Sequence, residues 1–300
     1  KELVPFDIIR DKIPVKSVDV SLMLDNKLGY VKLSKFSKTS YREFMTAMIP
    51  LVAAGVESLI FDLRDNTGGY LDQALLLSKE FLRSGEDIVY MEGLHRERQE
   101  FKADGSGLLQ DIDLYVLINE NSASSSEIFA GAIQDNDRGT IVGRRSYGKG
   151  LVQEPIYFTD KSGIRLTVAR FYTPTGRCIQ KPYSDDYQMD ILERYRHGEM
   201  VSADSIKRVD SLKYVTPKGK VVYGGGGIIP DVFVPIDTVG VTDFLIASNR
   251  KSLIVKYSNV LADKYRAQLR DVESFEDLEK LIASIDMEGG FLAFARQNGV

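Results

Sequence analysis

The stretch "SLIFDLR", followed by "DNTGG" and then "YLDQALLLSKEFLRSG", reads as an apolar strand, a glycine turn and an amphipathic helix. The same order returns downstream as "DLYVLIN", "ENSASS" and "SEIFAGAIQD", closed by a further strand, "TIVGRR". Two such units in series predict an α/β protein, because each helix has to cover the apolar strand that feeds it. Residues 15 to 36 alternate in the β manner about "DNKLG" and predict a hairpin. "SYREFMTAMIPLVAAG" predicts a helix that starts at an N-cap-type Ser40, ends at Gly55 and is kinked by Pro50.

After Lys149 the pattern changes. "LVQEPIYFTDKSGIRLTVARFYTP" is two β runs joined by a Lys-Ser-Gly turn, residues 184 to 211 are polar and weakly patterned, and "GGGGIIPD" is a glycine-rich connection. From Thr242 to Phe294 the spacing is helical.

With 43% apolar and 27% charged residues over 300 positions, the chain can bury a large core. A net charge of −4, with no Lys/Arg cluster interleaved with aromatics, argues against nucleic acid as a partner. The single cysteine, Cys178, excludes an internal disulfide, and with only His95 and His197 beside it a zinc site of nitrogen and sulfur ligands is not expected. Chemistry without metal or cofactor is therefore the expectation. No run approaches the roughly 18 apolar residues of a membrane span. A start at Lys1, with no apolar signal segment, reads as a mature or trimmed product.

"GTIVGRRSYGKGLVQ", residues 139 to 153, admits three readings. A phosphate loop needs a hydroxyl after its lysine and a helix behind it, but Gly150 stands in that place and the next segment is β. An S-x-x-K motif, Ser146 to Lys149, needs its serine at a helix start and the partners S-D-N and K-T-G, which the sequence lacks. In the third reading Lys149 is a base serving a serine elsewhere. "NENSASSSEIFAGAIQDNDRG" places a serine cluster at a helix N-terminus, where backbone amides can stabilise an oxyanion. Ordinary capping competes, since Ser124 and Glu127 fit a capping box. Neither histidine lies in a small-residue or glycine-rich loop, so a Ser-His-Asp triad has poor candidates, whereas Ser-Lys pairs perform the same chemistry. A lysine base must lose its proton before it acts, which burial favours. Lys149, flanked by Gly148 and Gly150 and entering an apolar hairpin, is expected to be buried.

With "LIFDLRDNTGG", "SASSSEIFAGAIQDNDRGTIVG", "SYGKGLVQ", "LTVARFYTPTGRCIQ" and "VYGGGGIIPD" in that order, the chain resembles the carboxyl-terminal processing proteases, the tail-specific serine endopeptidases of the S41 group. The resemblance implies a crotonase-like or ClpP-like α/β protease core with mixed sheets flanked by helices over residues 21–237. Residues 238–300 would be a helical extension, and residues 1–20 the exit segment of a largely missing PDZ-like domain. It implies Ser124 as nucleophile, Lys149 as base and Gln153 as the residue that orients the lysine. On a strand Gln153 would share a face with Lys149; the competing account is a solvent-facing hairpin glutamine.

The oxyanion donors would be the backbone N–H groups of Ser125 and of the glycine pair Gly68 and Gly69, with Asp62 and Arg64 in support; Asp135 matches an acidic position of some members, but an Asp at a helix end before "NDRG" is more often structural. The implied activity is an ATP-independent, cofactor-free serine endopeptidase acting through an acyl-enzyme on unfolded proteins with apolar C-terminal tails, in the bacterial cell envelope or periplasm. Self-association stays open. The alternative is a non-catalytic peptide- or tail-binding module on the same fold.

Overall fold

The chain enters its first sheet through β1 (Val18–Met23) and turns back into β2 (Leu28–Leu33). The turn is closed by the Asp25 carboxylate, which accepts from the N–H groups of Lys27 and Leu28, both at 2.8 Å. The computed structural model describes residues 10, 15–183, 187, 189–272 and 275–300. Residues 1–9 and 11–14 of the expected exit segment lie outside the described residues. Residues 18–20 belong to β1, so the sheet starts before the expected boundary at 21.

Next come α1 (Ser40–Ala53), β3 (Ser58–Asp62), α2 (Leu71–Phe81), β4 (Asp87–Gly93) and β5 (Arg96–Lys102), then β6 (Asp113–Ile118), α3 (Ser125–Asp135) and β7 (Thr140–Gly143). The hairpin β8 (Leu151–Tyr157) and β9 (Gly163–Tyr172) follows, then α4 (Asp190–Arg196), β10 (Lys213–Val215), β11 (Val221–Tyr223) and β12 (Val232–Phe233). Ser40 is the first residue of α1 and Thr39 its N-cap; the buried Ser40 hydroxyl instead accepts from Ser37 N–H and lies within hydrogen-bonding distance of Ser17 Oγ and the Lys35 carbonyl.

The strands form a mixed six-stranded sheet of order β1-β2-β3-β6-β7-β12, antiparallel only at β1/β2, and an antiparallel sheet of order β5-β4-β9-β8. This is the α/β class expected. The core gathers where α1, α2 and α3 meet β3: Phe44, Phe61, Phe81 and Phe129 are fully buried and meet edge to face, with centroids 5.1 to 6.1 Å apart. Such pairs add about 0.5–1.5 kcal/mol each beyond the area they bury. Burial alternates along β6, with Leu114, Val116 and Ile118 inside and Tyr115 exposed, so this strand is covered on one face rather than both.

Three elements carry no clear signal in the sequence reading. β5, "RERQEFK", has no apolar alternation because nearly all its side chains face solvent. α4 and the small β10/β11 hairpin lie in or just after the polar stretch, and α4 keeps only Arg194 buried.

The chain divides into two units, Lys1–Ile236 and Asp237–Val300. The second is helical, as its spacing predicts: α5 (Asp243–Arg250), α6 (Leu253–Lys264), α7 (Arg266–Arg270), α8 (Phe275–Ala283) and α9 (Met287–Gln297). Within it Phe291 packs on Phe244 and Tyr257. Among the described residues no helix is long and apolar enough to cross a membrane.

Candidate active site

Three loops leave the carboxyl ends of β3, β6 and β7 side by side, because Asp62 pairs with Leu117 and Ile118 with Gly143. The carboxyl ends of parallel strands are where open α/β sheets collect ligand-binding groups. The first loop carries Gly68 and Gly69, the second the serine cluster and the third Lys149.

The serines divide by what their hydroxyls hold. Ser122 Oγ donates to the Leu63 carbonyl at 2.8 Å, Ser126 Oγ to the Asn66 carbonyl at 2.8 Å and Ser125 Oγ to the Gly69 carbonyl at 3.1 Å. These three are buried and fasten the second loop to the first. Ser124 is only partly covered and takes no part in that fastening. Its backbone sits at φ 57° and ψ −113°, a conformation that costs a non-glycine residue about 1–3 kcal/mol and is held only where the surroundings dictate it.

Gly68 is one part of those surroundings. At φ 94°, a Cβ on it would lie 2.7 Å from Ser124 Cβ and 2.9 Å from Ser125 N, so only glycine lets the first loop approach the serine this closely. Of the expected oxyanion donors, Gly68 N–H is already taken by Asn66 Oδ1 at 2.9 Å. Among the described residues neither Ser125 N–H nor Gly69 N–H donates to a partner, which leaves these two for an incoming oxyanion.

The third loop is tied to the serine through Glu127, which is fully buried in the first turn of α3. Its Oε2 accepts from Ser124 N–H and Lys149 N–H, both at 2.8 Å, and its Oε1 from Gly148 N–H at 2.6 Å and Ser146 Oγ at 2.5 Å. Burial pushes this carboxyl up from its ordinary range, against the pull of the hydrogen bonds from Ser146, Lys149, Gly148 and Ser124. In sequence Glu127 is visible only as a cap partner. Its bonds to Ser146, Gly148 and Lys149 reach residues about 20 positions away, which no local spacing announces. Arg194 of α4 adds a second clamp, donating to the carbonyls of Ser146 and Arg145.

Lys149 departs from expectation. Its main chain is fixed by Glu127, but its side chain is exposed and lines a cleft of about 620 Å³ with Ala123, Tyr147, Leu151, Tyr187 and Asp65. The apolar hairpin expected to enclose it is itself largely exposed, with Ile156, Tyr157, Ile164 and Leu166 open to solvent. Among the described residues no hydrogen bond joins Ser124 Oγ to Lys149 Nζ; the connection runs through Glu127.

Gln153 is also not brought to Lys149. Lys149 lies in the loop before β8 begins at Leu151, so the strand alternation that would align the two side chains does not extend to it; the register shift at Val152/Gln153 puts its extra residue, Val168, on β9. Gln153 is exposed, and its Nε2 donates to Thr167 Oγ1 at 3.4 Å.

Asp135 lies at the far end of α3, about 15 Å along the helix from Ser125. There it is buried, pairs with Arg177 and accepts from Thr175 Oγ1 at 2.6 Å, so it fastens the loop after β9 rather than the site. Asp62 supports the first loop: burial raises its pKa, but hydrogen bonds from Arg64 and Tyr30 outweigh that and hold it below the usual carboxylate range.

Residues 27–189, a little over half of the chain, match the sequence profile of the group described as Peptidase family S41. A carboxyl-terminal-processing protease of Synechocystis sp. is 40% identical over 154 residues, which is 51% of this chain and 36% of that protein. A carboxy-terminal-processing protease of Bartonella bacilliformis is 37% identical over 182 residues, covering 59% and 42%. The chain thus spans well under half the length of these relatives. Among solved structures, a photosystem II D1 C-terminal processing protease superposes with a TM-score of 0.55 at 27% identity, over 75% of this chain and 50% of that one.

Proposed function

This chain belongs to peptidase family S41, and from that premise we propose that it is the protease core of a carboxyl-terminal processing serine endopeptidase. One observation carries the reading: a single buried carboxylate, Glu127, holds the main chain of both Ser124 and Lys149, so the hydroxyl and the amine are presented from one fixed point. Ser124 Oγ attacks a peptide carbonyl, forming the C–O bond of an acyl-enzyme as its proton passes to neutral Lys149. Lys149 returns that proton to the departing amine, and water then cleaves the acyl-enzyme by the same route. Ser125 N–H and Gly69 N–H receive the oxyanion.

The apolar wall of Ala123, Tyr147, Leu151 and Tyr187 suits an apolar residue near the scissile bond. Together with the relatives' names, which say carboxyl-terminal processing, it supports proteins with apolar C-terminal tails as substrates; action on unfolded proteins in the bacterial cell envelope is proposed from the family resemblance alone.

The exposed Lys149 and the Gln153–Thr167 contact favour a second reading, a tail-binding module that no longer cleaves. A fluorophosphonate probe separates the two. The peptidase reading expects covalent labelling that Ser124→Ala abolishes, along with cleavage of a tailed substrate unaffected by chelator. An unlabelled wild type that still binds the tail would establish the second.

A further inference from the structure

Among the described residues, Asp65 is the one acid lining the cleft that Lys149 also lines. Its backbone is at φ 64°, a region that Asn, Asp and Gly enter most readily. Asn119 Nδ2 and Asn121 Nδ2 both donate to its Oδ1, at 2.8 and 2.9 Å, while its own N–H donates to Asn119 Oδ1 at 2.9 Å. Those bonds from Asn121 and Asn119 also hold the carboxyl below the usual carboxylate range, so it is charged at neutral pH.

The turn needs only one carboxyl oxygen, and asparagine would serve it as well. The second oxygen accepts from no group among the described residues. The cations that act on it are Lys32 and Arg64, of which Arg64 is already engaged by Asp62; Lys149 lines the same cleft but makes no ion pair with Asp65 among the described residues. The result is a charged group on a fixed arm, set at the edge of an otherwise largely apolar groove and, among the described residues, without an ion-pair partner of its own. A pre-oriented carboxylate of that kind selects a cation at little entropic cost.

We propose that Asp65 is a specificity-determining residue that receives the lysine or arginine side chain of a peptide whose neighbouring apolar residue lies against Leu151, Tyr147 and Ala123. The proposal rests on reading this cleft as the peptide site of a peptidase. A carboxylate on the rim, open to water, gives a modest, salt-sensitive preference rather than an absolute requirement.

The test uses the Ser124→Ala protein, so that binding is read without turnover. Fluorescence anisotropy compares labelled peptides that share one apolar tail and carry Lys, Gln or Glu at each position flanking the intended scissile bond. The expected result is that at one position the Lys peptide binds about fivefold more tightly than the Gln peptide and the Glu peptide binds least, with the gap narrowing as salt is raised. Asp65→Asn added to Ser124→Ala keeps the turn, because asparagine tolerates the same φ and can accept the same amides. It should bring the Lys-to-Gln ratio to about one.

Equal binding of Lys and Gln peptides at every position, absence of binding by all of them, or a preference that survives Asp65→Asn would each overturn the assignment. Wild-type cleavage of the Gln peptide, lost in Ser124→Ala, is scored separately. It decides the peptidase reading whatever Asp65 does.

Discussion

Replacing Glu127 by glutamine separates holding the site from merely holding the fold. Glutamine has the same shape but one acceptor oxygen, so its NH2 group must face one of two donor pairs: Ser124 N–H with Lys149 N–H, or Gly148 N–H with Ser146 Oγ. The serine hydroxyl can turn to accept, but a backbone N–H cannot, so one or two buried N–H groups lose their acceptor. Each costs about 1–3 kcal/mol, which puts the loss at about 1–6 kcal/mol against a typical total of about 5–15. The variant should therefore stay folded with a lowered melting temperature, while the Lys149 loop shifts away from Ser124. A misplacement on the order of 1 Å costs roughly 100-fold in rate.

The assay is the rate of fluorophosphonate labelling of Ser124 beside a circular dichroism melt. Asp135→Asn serves as control, since it weakens an equally buried ion pair about 15 Å away along α3. It should lower the melt but leave most labelling. A Glu127→Gln protein that labels within about twofold of wild type, or an Asp135→Asn protein that loses labelling as severely, would refute the claim that Glu127 acts by joining the two loops.

Lys149→Arg should abolish turnover nearly as completely as Lys149→Ala, because arginine keeps the charge but cannot give up its proton; substantial peptide cleavage by the arginine variant would make Lys149 an anchor rather than a base. Gly68→Ala forces a Cβ to within 2.7 Å of Ser124 Cβ at φ 94°, so it should slow labelling and lower the melt; unchanged labelling would show that the close approach is unnecessary. Acid should unfold the protein partly through Glu43. Burial raises its pKa, but hydrogen bonds from Thr39, Ser17 and Val18 outweigh that and hold it at about 2. Because this folded-state value lies below the ordinary 4.5, the stabilisation is complete above that pH and is lost between about 4.5 and about 2. A Glu43→Gln variant should show a flatter melt-against-pH curve in that window, and an identical curve would exclude the contribution.

What the sequence discloses and what it hides divide by the range of the interactions. The two strand–turn–helix units were legible because periodicity is local, and they put the glycine loop and the serine cluster at neighbouring strand ends. Which serine is distinctive was legible only by resemblance: Ser122, Ser125 and Ser126 differ from Ser124 through carbonyls more than 50 positions away, at Leu63, Gly69 and Asn66. The same limit explains Asp135, whose place at a helix end was clear but whose partners, Arg177 and Thr175, lie some 40 residues on. Gln153 fails for the opposite reason. The i to i+4 argument is local and sound for a regular strand, but β8 begins only at Leu151, so Lys149 lies in the loop before it and the alternation does not reach it.

Lys149 combines both effects, since glycines on either side fix where its main chain goes and say nothing of where four methylenes and an ammonium come to rest. The side chains proposed or expected to serve Ser124, Lys149 and Gln153, are thus the exposed ones, whereas the buried Glu127 fixes the backbone of Ser124, Gly148 and Lys149. If the site cleaves, the step still to be made is a movement of side chains over a frame already in place. This predicts that a bound apolar-tailed peptide will shorten the Ser124 Cβ to Lys149 Nζ distance, a measure that survives Ser124→Ala, without altering the four hydrogen bonds at Glu127. A structure of the Ser124→Ala protein with such a peptide, showing the Glu127 bonds broken, would place the switch in the frame instead.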